Sequence, residues 1–522
     1  MSEFTDKLAN DLKDAGIEYA FGVVGSGASL ELVTALEKQG VVYYPVAHEA
    51  AGVLMAGACC RNGKTRAVAI TIKGPGFSNA LPGIVSNYYE NRPALTISEA
   101  YAPTAPSSKM HKRLDHFSMA STVLNGFASG ELDGADVKKL FEIGGSDLSG
   151  PIHIDLFQGA ASFRKETAKF EIVNLSADVF KKISDALAMS KKPLIILGSL
   201  AARNLPDINW QEFKIPVLTT AAAKGAINEF SEFSGGVITG EIKELSPEKI
   251  LMAKADLIVS VGLRNTEVVS ASKYLTHHIN IDLVDGFAGG FEPKINFIAA
   301  NADLEKIILA LKPEISKKTW GQDLIATYLE TLEKELFLAE WMPANVFRQI
   351  QQSLPDSTAV LDTGLFCTIG ETVWRAGKPE NFLGSSNGRF MGTAIPTAIG
   401  FAVSSKRETV CFAGDGGIRN YFPEIKLAVS EKLPIIFVFM SDGGYGSVAM
   451  AGRPKGLNAK GYDIKNGSWW RAASAIGCDA ELVENAPALL AALSKWKKRK
   501  GPLFLELHFD QARYGAMTNK LR

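Results

Sequence analysis

The sequence predicts an α/β protein made of three parallel-sheet domains, and three observations carry that expectation. Short apolar runs of strand length recur along the chain, among them AVAIT (67–71), PLIILG (193–198), DLIVSVG (256–262) and PIIFVFM (434–440). Each reads as a strand buried on both faces, as in a parallel sheet covered by helices. Amphipathic stretches of about 10–15 residues separate these runs, the alternation that βαβ units require. Finally, 522 residues exceed what one hydrophobic core holds. Domains of roughly 100–200 residues make about three.

The blocks follow in order. Residues 1–165 close with the strand-like IHIDLF after Gly150-Pro151, and the charged stretch FRKETAKFE reads as a linker. A second block, 172–315, ends near the lysine-rich LKPEISKK. The third, 340–522, opens around Pro343. The KWKKRK run near residue 500 follows an Ala/Leu-rich helical pattern. It reads as a solvated helix end, where cations also suit the helix dipole.

Composition excludes several classes. Hydrophobic residues make up 46% and charged residues 21%, which rules out intrinsic disorder. Fifty-six basic residues balance fifty-six acidic ones, so nucleic acid is not expected as a partner. The longest apolar runs are of strand length, whereas a membrane-spanning helix needs about 20 residues. The N-terminal MSEFTDKLANDLKDAG is polar and amphipathic, without the apolar core of a signal peptide. Cys59, Cys60, Cys367, Cys411 and Cys478 show no CxxC spacing, so neither zinc nor a disulfide framework is indicated. A cytoplasmic protein is expected.

The first and third blocks each place a glycine-rich turn after an apolar strand, and bare backbone there can approach a phosphate closely. FGVVGSGAS near residue 21 has GxxGxG rather than GxGxxG spacing and is read as a structural turn. The third block is more specific. In VCFAGDGGIRNYFPEIKLAVSEKLPIIFVFMSDGGYGSV (410–448), one strand ends in Gly414-Asp415-Gly416-Gly417. The next ends in Ser441-Asp442-Gly443-Gly444, followed by Tyr445. Adjacent parallel strands would present both carboxylates at their C-terminal ends, where open α/β sheets bind ligands. Magnesium prefers such hard oxygen donors and commonly bridges carboxylates to phosphates.

These residues resemble the thiamine-diphosphate enzymes of the acetolactate synthase, pyruvate oxidase and 2-oxo-acid decarboxylase superfamily, and are closest to its acetolactate synthase-like branch. The likeness extends through VAHEAAGVLMAGACCR, KGPGFSNALPGIVSNYYENRPALTI, TTAAAKGAINE, HINIDL, VLDTG and NGRFMGTAIPTAIG. It implies a pyrimidine-binding first domain, a Rossmann-like middle domain and a diphosphate-binding third domain. It also implies thiamine diphosphate and Mg2+ as cofactors, with metal ligands Asp415, Asp442 and the Gly444 carbonyl. Gly364, Gly414, Gly416, Gly417 and Tyr445 join the cofactor-binding set, as do Arg389 and Met391, whose backbone would meet the pyrimidine. Met391 would also wedge the cofactor into its bent shape. Glu49 would hydrogen-bond the pyrimidine N1′, promoting the tautomer that removes the thiazolium C2 proton. The ring then attacks carbonyls and serves as an electron sink. The family pairs the first domain of one subunit with the third of another, so a homodimer, or a dimer of dimers, is implied.

Departures bear on the substrate. The family's asparagine pair is Ser441-Asp442 here, which keeps an oxygen ligand and adds a negative charge. The flavin-associated acidic pair is absent from Gly262-Leu263-Arg264-Asn265-Thr266, so FAD is not expected. Lys73 stands where a small residue precedes GPG, and His111-Lys112-Arg113-Leu114-Asp115 replaces F-Q-E-x-D. Lys73, His111 and Lys112 are therefore candidate catalytic residues. An unpaired Lys73 would ask for an anionic co-substrate. His277-His278 is expected just before a middle-domain strand. The leading reading is decarboxylation of a 2-oxo acid followed by transfer to an acceptor. Simple decarboxylation to an aldehyde is the alternative, and a non-catalytic scaffold the alternative of another class.

Overall fold

The computed structural model of the chain describes residues 3–60, 66–146, 148–165, 177–264, 266–267, 276–284, 293–339 and 341–522. Three sheets organise them. The first comprises β1 (Tyr19–Val23), β2 (Val42–Pro45), β3 (Ala67–Thr71), β4 (Leu95–Glu99), β5 (Gly126–Glu131), β6 (Ile152–Ala160) and β7 (Ser162–Lys165). Their order is β2-β1-β3-β4-β6-β5-β7, parallel apart from the antiparallel β5–β7 pair.

The second sheet contains β8 (Pro193–Leu197), β9 (Val217–Thr219), β10 (Ser234–Val237), β11 (Leu257–Val261), β12 (His277–Asp282) and β13 (Ile295–Ile298). They run parallel in the order β10-β9-β8-β11-β12-β13. The third holds β14 (Thr358–Leu361), β15 (Phe382–Gly384), β16 (Thr409–Ala413), β17 (Ile435–Ser441), β18 (Asp479–Val483) and β19 (Leu503–His508). It is parallel throughout, in the order β15-β14-β16-β17-β19-β18.

The strands fall where the apolar runs lie, and AVAIT is β3 residue for residue. Two details differ from expectation. Phe163–Lys165, expected in the linker, belong to β7, because the sheet edge at β5 accepts an antiparallel partner. The linker residues 166–171 lie outside the described residues. His277 and His278 open β12 rather than preceding it, since they pair with Leu257 and Ile258 of β11. The KWKKRK run ends the helix Ala486–Arg499, with its basic residues in the last turn.

Five helices matter for the site: α1 (Ala28–Lys38), α2 (Glu49–Cys59), α3 (Pro75–Tyr89), α4 (Ala394–Ser405) and α5 (Gln511–Leu521). The sequence of α2, EAAGVLMAGAC, is apolar all round after its first residue, and every residue of it is buried. Such a helix belongs inside a core. It packs on α4, whose residues Ala394–Val403 are likewise buried. Glycine permits the contact, because a Cβ on Gly400 would stand 2.3 Å from the Met55 carbonyl oxygen. Phe21, Val53 and Phe77 thus share one core cluster with Ile395, Ile399 and Phe437. This core joins the first and third sheets and fixes the start of α2. There the buried Glu424 carboxylate accepts from Ala47 N (3.1 Å) and His48 N (3.0 Å). All five cysteines are buried and free. Among the described residues no helix is long and apolar enough to cross a membrane.

Candidate functional site

Because β16 and β17 are adjacent and parallel, the residues just past their ends lie side by side. Asp415 and Asp442 meet there. Asp442 N donates to Asp415 Oδ2 (2.9 Å) and Ser441 Oγ donates to Asp415 Oδ1 (2.7 Å). Asn466 Nδ2 also donates to Asp415 Oδ1. Burial and then the neighbouring Asp415 push the Asp442 carboxyl up, against a hydrogen bond from the Gln511 side chain. Asp442 Oδ2 is buried with no hydrogen-bond partner among the described residues. Two abutting carboxylates, one with an unsatisfied oxygen, form a donor set suited to a hard cation.

The surrounding backbone is shaped by glycine. A Cβ on Gly416 would stand 2.4 Å from Met391 Sδ, and one on Gly417 would stand 1.9 Å from Asp362 Oδ2. Asp362 is buried, and burial pushes its carboxyl up to about 7. It accepts from Gly392 N at 2.8 and 2.9 Å, which pins the loop carrying Met391. Gly364, Met391, Gly414, Asp415, Gly416, Asp442, Gly444 and Tyr445 line one cavity. Gly417 stands behind it against Asp362. Arg389, at φ 49, places its guanidinium on Glu371 Oε1 (2.5 Å) and is not among the residues lining this cavity. Met391 is 37% exposed in the single chain.

Glu49 opens α2 behind the N-cap His48, whose Nδ1 accepts from Ala50 N (3.1 Å). Its carboxylate is buried, and Oε2 accepts from Asn79 Nδ2 (3.2 Å). Glu49 is not among the residues lining the Asp415–Asp442 cavity. One chain therefore does not bring the two halves of the expected site into one cavity.

Lys73 is not the unpaired lysine the sequence led us to expect. Its Nζ lies 2.5 Å from Glu99 Oε2. Glu99, at the end of β4, also accepts from Ser29 N (2.9 Å) and Ser29 Oγ (2.5 Å) at the start of α1. Burial alone would raise the Glu99 carboxyl, but the bonds from Lys73 and Ser29 outweigh it and hold the group low. The FGVVGSGAS turn is structural, as expected. Its Gly27 is so close to Glu99 that a Cβ would stand 3.1 Å from Oε1.

Lys73 and Lys112 line a second cavity at the C-terminal end of the first sheet, together with Arg113 and Arg164. His111 is not among its lining residues, and its carbonyl accepts from Tyr101 Oη (2.9 Å). The turn between Lys73 and α3 is tied by buried His116, whose Nε2 accepts from Gly74 N (3.0 Å). The ring proton is then on Nδ1, facing Asp155 Oδ1 at 2.6 Å, and His153 Nε2 meets the same oxygen at 3.0 Å. His116, His153 and Asp155 are close enough for a metal. A metal on His116 Nδ1, however, would force a proton onto Nε2 against the Gly74 N–H, so the trio reads as a structural network.

Sequence reasoning did not single out Glu99, Asp362, Glu424 or Tyr514. Each is an ordinary residue in local context; the partners of Glu99, Asp362 and Glu424 lie far away in the chain, and Tyr514 reaches the cavity only through packing. Asp362 and Gly364 both fall in VLDTG, but only the glycine was singled out.

Two family models match the chain. The N-terminal TPP binding domain of thiamine pyrophosphate enzymes matches residues 3–119, and the C-terminal TPP binding domain matches 362–507. Among curated relatives, the catabolic acetolactate synthase of Raoultella terrigena is 24% identical, covering 97% of this chain and 94% of that protein. The acetolactate synthase large subunit of Haemophilus influenzae is 24% identical, over 85% of this chain and 82% of its own length. The Bacillus subtilis acetolactate synthase is 22% identical, over 96% and 92%. With both cofactor-binding halves matched and three parallel sheets in place, the chain belongs to the thiamine pyrophosphate enzymes and is a thiamine-diphosphate-dependent enzyme.

Proposed function

We propose that the protein is an acetolactate synthase-like carboligase. It would use thiamine diphosphate and Mg2+ to decarboxylate a 2-oxo acid and pass the remaining acyl unit to an acceptor. The observation that carries this reading is the pair of buried Asp415 and half-buried Asp442 with its unpartnered oxygen, in a chain similar over nearly its whole length to acetolactate synthases. The residues fit the cofactor: Asp415, Asp442 and the Gly444 carbonyl would hold the metal. Gly364, Gly414, Gly416 and Tyr445 would border the diphosphate, with Gly417 giving room behind them. Met391 and the backbone of Arg389 would seat the rings.

When bound, thiamine diphosphate supplies a carbon nucleophile and an electron sink for the loss of carbon dioxide. The protein's part is to hold protons and exclude water. Glu49 keeps one oxygen on Asn79, and its carboxylate would hold the proton at the pyrimidine N1′. Since Glu49 does not line the Asp415–Asp442 cavity, the halves would meet between subunits of a homodimer or dimer of dimers. The partial exposure of Met391 in the single chain supports that assembly.

The middle domain supports a flavin-free enzyme. Its strand order reverses between β8 and β11, the place where such sheets receive dinucleotides. There Ser199 N (2.8 Å) and Ser199 Oγ (2.7 Å) already donate to Glu267 Oε1, and Arg264 N adds a third bond (3.0 Å). Asn265 of the altered segment lies outside the described residues. An acidic co-substrate finds support in the cavity beside Lys73, where Lys112 and Arg113 have no ion-pair partner among the described residues. Lys73 itself is committed to Glu99.

The test is to incubate the enzyme, loaded with thiamine diphosphate and Mg2+, with a panel of 2-oxo acids and assay carbon dioxide and organic product together. A hydroxyketone supports carboligation, and an aldehyde alone supports the decarboxylase reading. No carbon dioxide from any acid would contradict both.

A further inference from the structure

The C-terminal helix α5 contributes Tyr514 to the lining of the Asp415–Asp442 cavity, and the tyrosine carries a polar atom left unsatisfied among the described residues. Its buried face, with Tyr514, Met517, Thr518 and Leu521, belongs to the core of the third domain. Thr518 Oγ1 donates to the Leu365 carbonyl (3.5 Å), so the helix is docked on the strand-to-helix turn that carries Gly364. Tyr514 is 1% exposed and lines the same cavity as Gly364, Asp415 and Asp442. Its hydroxyl has no hydrogen-bond partner among the described residues. A buried hydroxyl without a partner is costly, and such groups call for an explanation.

Two residues that line one cavity thus each carry a buried unsatisfied atom: a donor, Tyr514 Oη, and an acceptor, Asp442 Oδ2. A neutral apolar ligand would satisfy neither. A lone cation would satisfy Asp442 but offers no acceptor for a hydroxyl. An oxyanion carried on a divalent cation satisfies both at once, the cation on the carboxylates and an anionic oxygen on the phenol. We propose that Tyr514 donates a hydrogen bond to the metal-held diphosphate and is therefore a cofactor-binding residue supplied by the C-terminal helix. This rests on the reading of the Asp415–Asp442 cavity as the diphosphate site. The first residue of the same helix, Gln511, lies by the Asp442 side chain and favours its charged form. The helix would then hold both sides of the contact, metal ligand and phosphate.

The test compares the wild type with Tyr514→Phe, in two readouts that need no turnover. The first is calorimetric binding of thiamine diphosphate in excess Mg2+, repeated with magnesium pyrophosphate as the probe. A hydrogen bond to a charged group predicts roughly 10- to 150-fold weaker binding of both ligands by the variant. The second readout is thermal unfolding without cofactor, where removing an unpartnered hydroxyl should leave Tm unchanged or higher. Wild-type affinity for both ligands in the variant would overturn the inference while leaving the proposed function intact. A penalty for thiamine diphosphate but not for pyrophosphate would move the contact off the diphosphate and overturn it too. A fall in Tm of the cofactor-free variant would give the hydroxyl a structural partner instead. Failure of the wild type to bind either ligand would overturn both readings.

Discussion

The glycine-rich turns of the first and third domains follow the same plan in sequence and end in opposite states. In the first, Glu99 comes in from β4 and fills the mouth of FGVVGSGAS, accepting from Ser29 and pairing with Lys73. In the third, Asp442 Oδ2 and Tyr514 Oη remain without partners among the described residues. The middle domain also sets a carboxylate on its turn, with Glu267 Oε1 on Ser199, although Glu267 Oε2 is left without a partner among the described residues. A glycine-rich turn supplies only access and N–H groups, which a carboxylate of the chain can consume as readily as a phosphate. What sets the third domain apart is that the residues bearing its leftover atoms, Asp442 and Tyr514, line one cavity together.

Three substitutions would break or sharpen this contrast. The largest effect is expected at Glu49, the carboxylate proposed to act on the cofactor. Glu49→Gln should fold and bind cofactor yet lose activity by ~10²–10⁴-fold, the usual contribution of a positioned acid–base group. Turnover near wild type would remove Glu49 from the mechanism. Next is Glu99→Gln, which strips Lys73 and Ser29 of their partner. It should lower stability by about 1–3 kcal/mol, discounted for the partial exposure of Lys73, and leave thiamine diphosphate affinity unchanged. A large loss of cofactor affinity would mean that the first-domain turn is a ligand site after all.

The smallest effect concerns the network that ties Gly74. Burial would raise the Asp155 carboxyl, but the bonds from His116 and His153 hold it at about 2, below its ordinary 3.8. A depressed carboxyl contributes stability that is complete above its unfolded pKa and lost as pH falls through the folded one. Wild-type stability should therefore decline between about pH 4 and pH 2, and Asp155→Asn should flatten that decline. Denaturant midpoints across this window report it, and identical acid slopes in the two proteins would count against the network.

Much of this architecture was legible in the residues. Apolar runs placed the strands, because burial on both faces leaves little room for polar residues. The Gly414–Gly417 and Ser441–Tyr445 segments placed Asp415 and Asp442 together, since consecutive parallel strands end on the same sheet edge. The fillers were not legible. Glu99 meets Ser29 across 70 positions, and Glu424 reaches Ala47 across 377, contacts that no local pattern announces. Lys73 was misjudged for the same reason: its oddity beside GPG was visible, its partner on β4 was not. Tyr514 sits in an unremarkable amphipathic helix, and only packing aims it at the cavity.

The central claim is that the third-domain turn, unlike the first, holds the cofactor through a metal on Asp415 and Asp442. Titration calorimetry of thiamine diphosphate into wild type and Asp415→Ala, each with Mg2+ and with the metal chelated, tests it most directly. The account predicts saturable, Mg2+-dependent binding in the wild type and its loss in the variant. Binding that survives both chelation and the substitution would contradict it.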